Sequence, residues 1–293
     1  MIDVSVITVT HQSNECIADQ ILSVSMSALH VQYEQIIVDN ASTDGTIELI
    51  EQGYSTYVSF IKNGKNLGFA AANNQAFSLS KGRYFLFLNP DMRLELGALD
   101  KIIPWMDQHP DIGIAGCQLL DKEGFPHEAL EPRRFPPCIV NLAFFLNVQH
   151  FFPKLKALFQ YVPFDSEKQQ DVDSVRGAMM LVRREVLEKF NRSFDPRYFL
   201  LFEDLDLCRE VKSLGYRVVY TPIVTCIDLF HRSFLHHSRV WKHLQISKGL
   251  WIYASKWYGP IERFLMLIAI PLGFLLRLPG WMLRWKDFFC KRS

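Results

Sequence analysis

A single carboxylate follows an apolar segment that predicts a buried strand. The segment is Leu86-Phe87-Leu88, and Asn89-Pro90-Asp91 comes directly after it. The ends of interior strands form the crevice in which open α/β sheets bind ligands. There Asp91 could hold a hard divalent cation, which would also take phosphate oxygens. Because Asn-Pro-Asp is ordinary turn chemistry as well, the segment indicates a site only together with partners elsewhere in the chain.

One partner lies upstream, where Asp39 ends a strand predicted over 35–39. In a parallel sheet it would face the same crevice as Asp91 and could accept hydrogen bonds from a nucleotide base or ribose. The alternative for each aspartate is a helix N-cap or a turn.

The segment 66–74 lies between these two strands and is rich in small side chains and in side-chain amides. Gly68 allows the backbone to approach a ligand closely, and Asn66, Asn73 or Asn74 could bond to polar groups on it. The alternative is a turn followed by an Ala-rich helix.

The second partner lies far downstream, where Glu203, Asp204 and Asp206 follow the apolar segment 198–202. Three carboxylates so close to apolar residues are costly unless they are exposed, paired or functional. On a helix, Glu203 and Asp206 share a face. Acids are favoured at a helix N-terminus, so capping is one explanation. The other is a general base that takes the proton from an acceptor hydroxyl.

The elements that position these residues follow from hydrophobic periodicity. Strand and helix patterns alternate over the first ~120 residues, which implies crossover units and a mostly parallel α/β sheet flanked by helices. Strands are predicted at 4–10, 35–39, 57–61, 84–88 and 112–119. Helices are predicted at 15–29, at 68–79, at 97–106 and through Ile47 and Ile50, where Ser42 and Asp44 offer caps.

After Leu119 the alternation stops. Prolines mark an irregular stretch, and the apolar, aromatic segment 139–159 is interrupted by Pro153. A strand over 175–182, a helix over 203–214 and a strand over 217–220 are predicted beyond it.

Composition excludes several classes of protein. The chain has 293 residues, enough for a large core, and a formal net charge of +1, so no overall field favours nucleic acid as a partner. Six scattered cysteines without a C-x-x-C pair argue against a zinc site or a disulfide framework and fit a reducing compartment. The N-terminus has no basic and apolar leader pattern, so no signal peptide is predicted.

The C-terminal tail differs from the rest. Phe264 to Leu276 are 13 uncharged residues, interrupted by Pro271. A bilayer span takes ~20 apolar residues. The aromatic and basic residues beyond, among them Trp281, Arg284 and Trp285, suit a membrane interface with anionic lipid. A helix packed on the domain and a true span are the alternatives.

Six segments together resemble family 2 glycosyltransferases, and most of all the rhamnosyltransferase-like branch. They are Val6-Ile7-Thr8-Val9-Thr10, Val38-Asp39-Asn40-Ala41-Ser42-Thr43-Asp44-Gly45-Thr46, Asn66-Leu67-Gly68-Phe69, Leu88-Asn89-Pro90-Asp91, Gly177-Ala178 and Glu203-Asp204-Leu205-Asp206-Leu207. The match covers roughly residues 3–260, and the combination is far more specific than any one segment.

The resemblance implies a GT-A fold, a nucleoside-diphosphate-sugar donor, Mg²⁺ or Mn²⁺, and inversion at the anomeric carbon. It implies a GT-A domain over 1–260, divided into a nucleotide-sugar-binding half, 1–120, and an acceptor-binding catalytic half, 121–260, with a membrane-interface tail over 261–293. The acceptor would be a saccharide or a polyprenyl-diphosphate-linked sugar. We expect a cytoplasmic enzyme of cell-surface polysaccharide assembly, bound peripherally to the cytoplasmic face of the inner membrane.

The resemblance also implies roles for single residues. Asp91 matches the metal-binding aspartate of the family's Asp-x-Asp motif, whose first position is Asn89 here, and His231 matches a histidine near the diphosphate or metal. Asp204 matches the catalytic base. Glu203 and Asp206 support Asp204, and Gly177 is assigned to the acceptor side. The residues expected to contact the nucleotide sugar are Thr10, Asp39, Asn66, Gly68, Asn74 and Asn89.

Some features depart from the family pattern. An Arg often follows the Glu of the Glu-Asp-x-Asp motif by six or seven residues, and Arg209 and Glu210 stand at those places here. The Gln-x-x-Arg-Trp motif of processive synthases is absent, so a single sugar addition is expected. His236, His237 and His243 are expected at the surface or on the acceptor side.

Two other functions remain as alternatives: a nucleotidyltransferase and a non-catalytic, membrane-associated scaffold that binds sugar nucleotides. The segment 8–14 has neither Gly nor Lys, which disfavours the nucleotidyltransferase. No G-x-G-x-x-G follows the first strand, which disfavours a dinucleotide oxidoreductase.

Overall fold

The fold is a mixed α/β sheet covered by helices on both faces. A computed structural model describes residues 1–127, 131–229 and 238–277. The strands are β1 (Val4–Thr10), β2 (Tyr33–Asp39), β3 (Ser59–Lys62), β4 (Tyr84–Leu88), β5 (Met92–Leu94), β6 (Ile112–Leu120), β7 (Gln170–Asp171), β8 (Met179–Arg183) and β9 (Arg217–Asp228).

Along the sheet the strands lie in the order β3-β2-β1-β4-β8-β6-β9-β5, and β7 pairs with β9. The first four strands in this order, β3, β2, β1 and β4, are parallel to one another, as predicted from the alternating pattern. β8 is antiparallel to both of its neighbours, β4 and β6, so the sheet as a whole is mixed. The strand order also inserts β8, from the second half of the chain, beside the strand that leads to Asp91.

The helices are α1 (Ile17–Ser27), α2 (Thr46–Gly53), α3 (Phe69–Leu79), α4 (Ala98–Gln108), α5 (Cys138–Phe145), α6 (Arg184–Glu188), α7 (Glu203–Ser213), α8 (Arg239–Trp257) and α9 (Pro260–Arg277). Two 3₁₀ helices, Gln149–Phe151 and Pro153–Leu158, follow α5.

Strand β4 shows why the centre of the sheet is apolar. Leu86 and Leu88 pack with α4 on one face, whereas Phe85 and Phe87 pack with α3 and α7 on the other. All four side chains are at most 2% exposed. A strand buried on both faces carries a continuous apolar run instead of an alternating one. The polar residues at its end are therefore the first that can serve a ligand.

Two details of the local predictions need correction. Helix α2 starts after Gly45, which takes the N-cap position in a left-handed conformation (φ +92°). Asp44 still accepts from the N–H of Thr46, the first residue of the helix, at 3.1 Å, whereas Ser42 bonds to Asp39. The strand predicted from Val175 begins only at Met179. Just before Met179, the carbonyl of Ala178 accepts a hydrogen bond from the backbone N–H of Asn89 at 2.9 Å, which extends the antiparallel pairing with β4 by one residue.

The C-terminal helices form a separate apolar cluster with α5 and the start of α7. One face of α9 is packed: Met266 is buried, and a Cβ on Gly273 would lie 2.1 Å from the carbonyl oxygen of Phe145. The other face is exposed, with Phe264 and Leu275 61% and 58% accessible.

In the part of the chain that the structure describes, no helix is long and apolar enough to cross a membrane.

The four histidines near the end of the domain divide into two groups. His231, His236 and His237 lie outside the described residues. His243 was expected at the surface or on the acceptor side, but it is only 6% exposed. Its ring lies 5.6 Å from that of Phe145 and 5.4 Å from that of Phe274, centroid to centroid. His243 is therefore part of the apolar contact between α5, α8 and α9.

Candidate active site

The carboxylate of Asp39 is held at the ends of β1 and β2. It accepts hydrogen bonds from the hydroxyl of Thr10 at 2.8 Å and from the hydroxyl and backbone N–H of Ser42 at 2.6 and 2.7 Å. Thr10 and Asp39 are fully buried. The parallel register sets them directly opposite each other. Through these contacts the Asp39 carboxylate holds the loop 40–45 in place at this edge of the sheet.

The amide-rich loop after β3 is tied to this edge. The side chain of Asn40 donates to the carbonyl of Gly68 at 3.1 Å, and the backbone N–H of Gly68 donates to the side chain of Asn66 at 2.9 Å. Gly68 has φ +86°, and a Cβ there would lie 2.4 Å from the carbonyl oxygen of Phe199. The position therefore requires glycine, because the loop passes directly against the segment that leads to α7.

Asn74 has a different set of contacts from the one expected. Its side-chain oxygen accepts from the N–H and hydroxyl of Ser193 and from the N–H of Phe194. Its NH₂ group donates to the carbonyl of Phe194. Asn73 donates to the carbonyl of Phe69 within the same helix. These amides fix α3 to its surroundings, and we leave Asn74 out of the ligand contacts proposed below.

Asp91 lies at the same edge of the sheet, 7% exposed. Burial, with the negative charge of Asp91 next in importance, raises the pKa of the Cys16 thiol to about 12. Asp91 is therefore close to the start of α1. Asp228, which sequence reasoning missed, ends β9 opposite Met92 and is 5% exposed.

The donor set at Asp91 fits a hard cation such as Mg²⁺ or Mn²⁺, because it is a buried carboxylate at a strand end. Within residues 1–127, 131–229 and 238–277, no group of three or more His, Cys, Asp or Glu side chains is arranged to hold an ion. His231 lies beyond these ranges.

Asp204 sits in the first turn of α7, and the backbone before it is unusual. Leu201 and Phe202 both have positive φ values, 72° and 71°. Such values are uncommon for bulky side chains, cost energy, and persist only where surrounding contacts impose them. The Asp204 carboxylate accepts hydrogen bonds from the N–H of Gly177 at 3.2 Å and from the N–H of Leu205 at 2.7 Å. A Cβ on Gly177 would lie 3.3 Å from the Cβ of Asp204, so this glycine lets the two segments meet.

These contacts connect Asp204 to the strand end that carries Asp91. Asn89 donates to the carbonyl of Ala178, and the preceding residue, Gly177, donates to Asp204. Residues more than 100 positions apart in the chain are thereby joined through one dipeptide.

The two other carboxylates of α7 have distinct environments. Glu203 is 7% exposed, and its Oε2 atom has no hydrogen-bond partner among the described residues. Asp206 is 1% exposed and accepts from the Lys256 ammonium at 2.7 Å and from the Trp257 indole N–H at 2.5 Å. Asp206 therefore fixes the helix that carries Asp204 against the end of α8.

The burial of Glu203 predicts how the stability of the protein depends on pH. Burial, followed by the charge of Asp204, raises the pKa of Glu203 from 4.5 to about 8. Between these two pKa values the carboxyl of Glu203 is protonated in the folded state and ionised in the unfolded chain. The free energy of unfolding therefore falls as the pH rises from about 5 to 8. We expect Glu203→Gln, which keeps the neutral shape, to gain stability relative to the parent over this range in urea unfolding. Parallel stability curves for the two proteins would contradict this.

Sequence reasoning missed two arginines beside Asp204. The Nη2 atom of Arg133 lies 2.7 Å from Oδ2 of Asp204, and the two side chains are each 14% exposed. Arg176 donates to the carbonyl of Glu131 at 3.2 Å and acts electrostatically on Asp204. Only the pair Arg133-Arg134 in an irregular stretch could have pointed to them. Arg209, six residues after Glu203, donates to the hydroxyl of Tyr253 at 2.8 Å and stacks on Trp257.

Two known proteins that are similar to this chain in sequence are rhamnosyltransferases. An N-acetylglucosaminyl-diphospho-decaprenol L-rhamnosyltransferase of Mycobacterium tuberculosis is 26% identical over 199 residues, which are 64% of this chain and 63% of that protein. The chain thus matches less than two thirds of that relative's length. Rhamnosyltransferase WbbL of Escherichia coli K12 is 28% identical over 252 residues, covering 83% of this chain and 90% of the relative.

Among solved structures, mannosyltransferase PcManGT from Pyrobaculum calidifontis, in complex with GDP-Man and Mn²⁺, superposes with a TM-score of 0.57 at 16% identity. The match covers 96% of this chain and 75% of that one. The likeness confirms the predicted GT-A-type fold. The sequence profile described as "Glycosyl transferase family 2" matches residues 5–190, well over half of the chain. The chain therefore belongs to glycosyl transferase family 2.

Proposed function

We propose that this protein is an inverting, metal-dependent glycosyltransferase. It moves a sugar, with rhamnose favoured, from a nucleoside-diphosphate-sugar to a hydroxyl of a lipid-linked saccharide in the assembly of a cell-surface polysaccharide. The observation that carries this is the connection from Asn89 through Ala178 and Gly177 to Asp204. From this connection we infer that Asp91, a carboxylate suited to a metal, and Asp204, a carboxylate suited to a base, face one crevice.

The donor lies across the strand ends in this proposal. The buried group of Thr10, Asp39 and Ser42 shapes the nucleotide end of the crevice. The loop with Asn66 and Gly68 forms its wall. Asn89 and Asp91 lie toward the diphosphate.

Asp91 would hold Mg²⁺ or Mn²⁺, with His231 as a further ligand. Such a cation, when bound, neutralises the negative charge that develops on the leaving diphosphate.

Asp204 acts as the base. It takes the proton of the acceptor hydroxyl while the oxygen forms a bond to the anomeric carbon, and the bond from that carbon to the diphosphate breaks with its electron pair on the diphosphate. One displacement inverts the anomeric configuration. The leaving group needs no proton, so one carboxylate base suffices, in contrast to the two carboxylates of glycoside hydrolysis.

The test of this function is a donor panel. Purified full-length protein with Mn²⁺ is incubated with each nucleotide sugar, with and without a polyprenyl-diphosphate-sugar acceptor, and released nucleoside diphosphate is measured. Acceptor-dependent release from one donor, with the anomeric configuration of the product read by NMR, is the expected result. Tight donor binding without release from any donor would instead favour the non-catalytic scaffold.

We also propose that the exposed face of α9 contacts the membrane that holds the acceptor, at the cytoplasmic face of the inner membrane. Phe264, Leu267 and Leu275 are 61%, 56% and 58% exposed on this amphipathic helix. The sequence that follows α9 mixes aromatic with basic residues, as interfacial segments do.

Replacing Phe264 and Leu267 together with Glu should weaken binding to anionic lipid vesicles by at least about 100-fold, since a large apolar side chain contributes about 1.5–3 kcal/mol on burial. Vesicle co-sedimentation measures the effect. Phe125→Glu is the matched control, because Phe125 is 64% exposed and far from α9 in the sequence. Equal vesicle binding by the double variant and the control would exclude α9 as the contact.

A further inference from the structure

A cationic side chain is bonded to the proposed base. We infer that Arg133 is a positioning residue, which holds the carboxylate of Asp204 in the orientation that proton abstraction requires. The inference rests on the proposed function, because it assigns Arg133 a part in that reaction.

The backbone that carries the Arg133 side chain is held by three hydrogen bonds to Ser174. The backbone N–H of Arg133 donates to the carbonyl of Ser174, and the N–H and hydroxyl of Ser174 both donate back to the carbonyl of Arg133, each at 3.0 Å. Ser174 is fully buried and lies three residues before Gly177, the other donor to Asp204. The two donors to Oδ2 of Asp204 therefore come from neighbouring, hydrogen-bonded segments.

The pattern of donors also selects one atom for catalysis. An ionised carboxylate has about four acceptor sites, two on each oxygen. Oδ2 of Asp204 receives Arg133 and Gly177, while Oδ1 receives the N–H of Leu205. Oδ1 keeps a site that the described residues do not use. With Oδ2 fixed, that site has a defined direction, and we assign it to the proton of the acceptor hydroxyl.

The charges around Asp204 show what Arg133 adds. Glu203 and Cys208 of the same helix interact electrostatically with Asp204, and so do Arg133 and Arg176 from the segments packed against it. The bond of 2.7 Å between Arg133 and Asp204 is charge-assisted and therefore stronger than a neutral hydrogen bond. Without the guanidinium, the Asp204 carboxylate would lose the strongest contact that fixes its orientation.

The experiment compares Arg133→Gln, Arg133→Lys and Arg133→Ala in the full-length enzyme under the donor and acceptor conditions above. We expect Arg133→Gln to lower kcat by about 100-fold, since misplacing a catalytic group by 1 Å costs about that much. The donor KM should stay within about threefold. Arg133→Lys should restore part of kcat, and guanidinium ion, far below denaturing concentrations, should do so for Arg133→Ala.

Arg134→Gln is the matched control, because Arg134 is the next residue, is exposed and stacks on Tyr161 with 4.3 Å to the ring centroid. An unchanged kcat in Arg133→Gln would overturn the inference. So would a loss that appears equally in thermal stability and is rescued by neither Lys nor guanidinium. If the parent enzyme itself transfers no sugar, the proposed function fails instead, and the two failures are told apart by that one measurement.

Discussion

Asp204→Asn should abolish acceptor-dependent sugar transfer while the protein still folds and binds its donor. A general base contributes about 10²–10⁴-fold to a rate, so a loss of about 1,000-fold or more in kcat is expected. The amide oxygen of Asn can still accept from the N–H of Gly177 and from Arg133, whose contacts hold Asp204 at 3.2 and 2.7 Å. The contacts on Oδ2 are therefore kept, whereas the hydrogen bond from the N–H of Leu205 is lost together with the basicity, because an NH₂ group cannot accept it.

The measurement is single-turnover transfer to a polyprenyl-diphosphate-sugar, with donor affinity from calorimetry in parallel. Asp171→Asn is the control, since the Asp171 side chain is 59% exposed in a surface ion pair with Arg217 and such pairs contribute little. Transfer by Asp204→Asn at more than a tenth of the parental rate would assign the base to another residue.

The part of the site that could be predicted from the sequence lies at the ends of parallel strands. Thr10, Asp39 and Asn89 each stand at the end of, or just after, an apolar run, and such runs identify strands by composition alone. Once consecutive strands are parallel, their ends meet at one edge. The fold of the first 120 residues follows from the same local pattern, which is why the strand β4 was predicted with its observed limits, Tyr84–Leu88.

The part that could not be predicted depends on contacts between distant segments. Arg133 meets Asp204 across 71 positions, through an irregular stretch with no periodicity to read. Asn74 looked available for a ligand, yet its amide holds residues 193 and 194, which lie about 120 positions away. Gly68 was singled out for ligand approach, but its steric requirement comes from Phe199. Local sequence carries no information about which distant backbone fills such a space.

Asp91→Asn should remove most of the metal-dependent binding of the donor. The substitution keeps the side-chain size and one oxygen but removes the negative charge that a divalent cation requires. Loss of a direct carboxylate ligand should weaken Mn²⁺ binding by at least about 100-fold, the upper end of what outer-shell changes cost. Because donor phosphates share the cation, the affinity for a nucleoside diphosphate in the presence of Mn²⁺ should fall in parallel.

Electron paramagnetic resonance of free Mn²⁺ measures the first effect without any turnover, and calorimetry with and without Mn²⁺ measures the second. Asp44→Asn serves as a demanding control, because Asp44 also acts on Cys16 and so lies near the same edge, yet its carboxylate is occupied by Thr46 and by the N–H of Asn14. If Asp91→Asn bound Mn²⁺ as the parent does while Asp44→Asn did not, the metal would belong to the loop after β2. Donor binding and catalysis would then have to be assigned to different strand ends, since only Asp91 is joined through Asn89 and Ala178 to the segment that contacts Asp204.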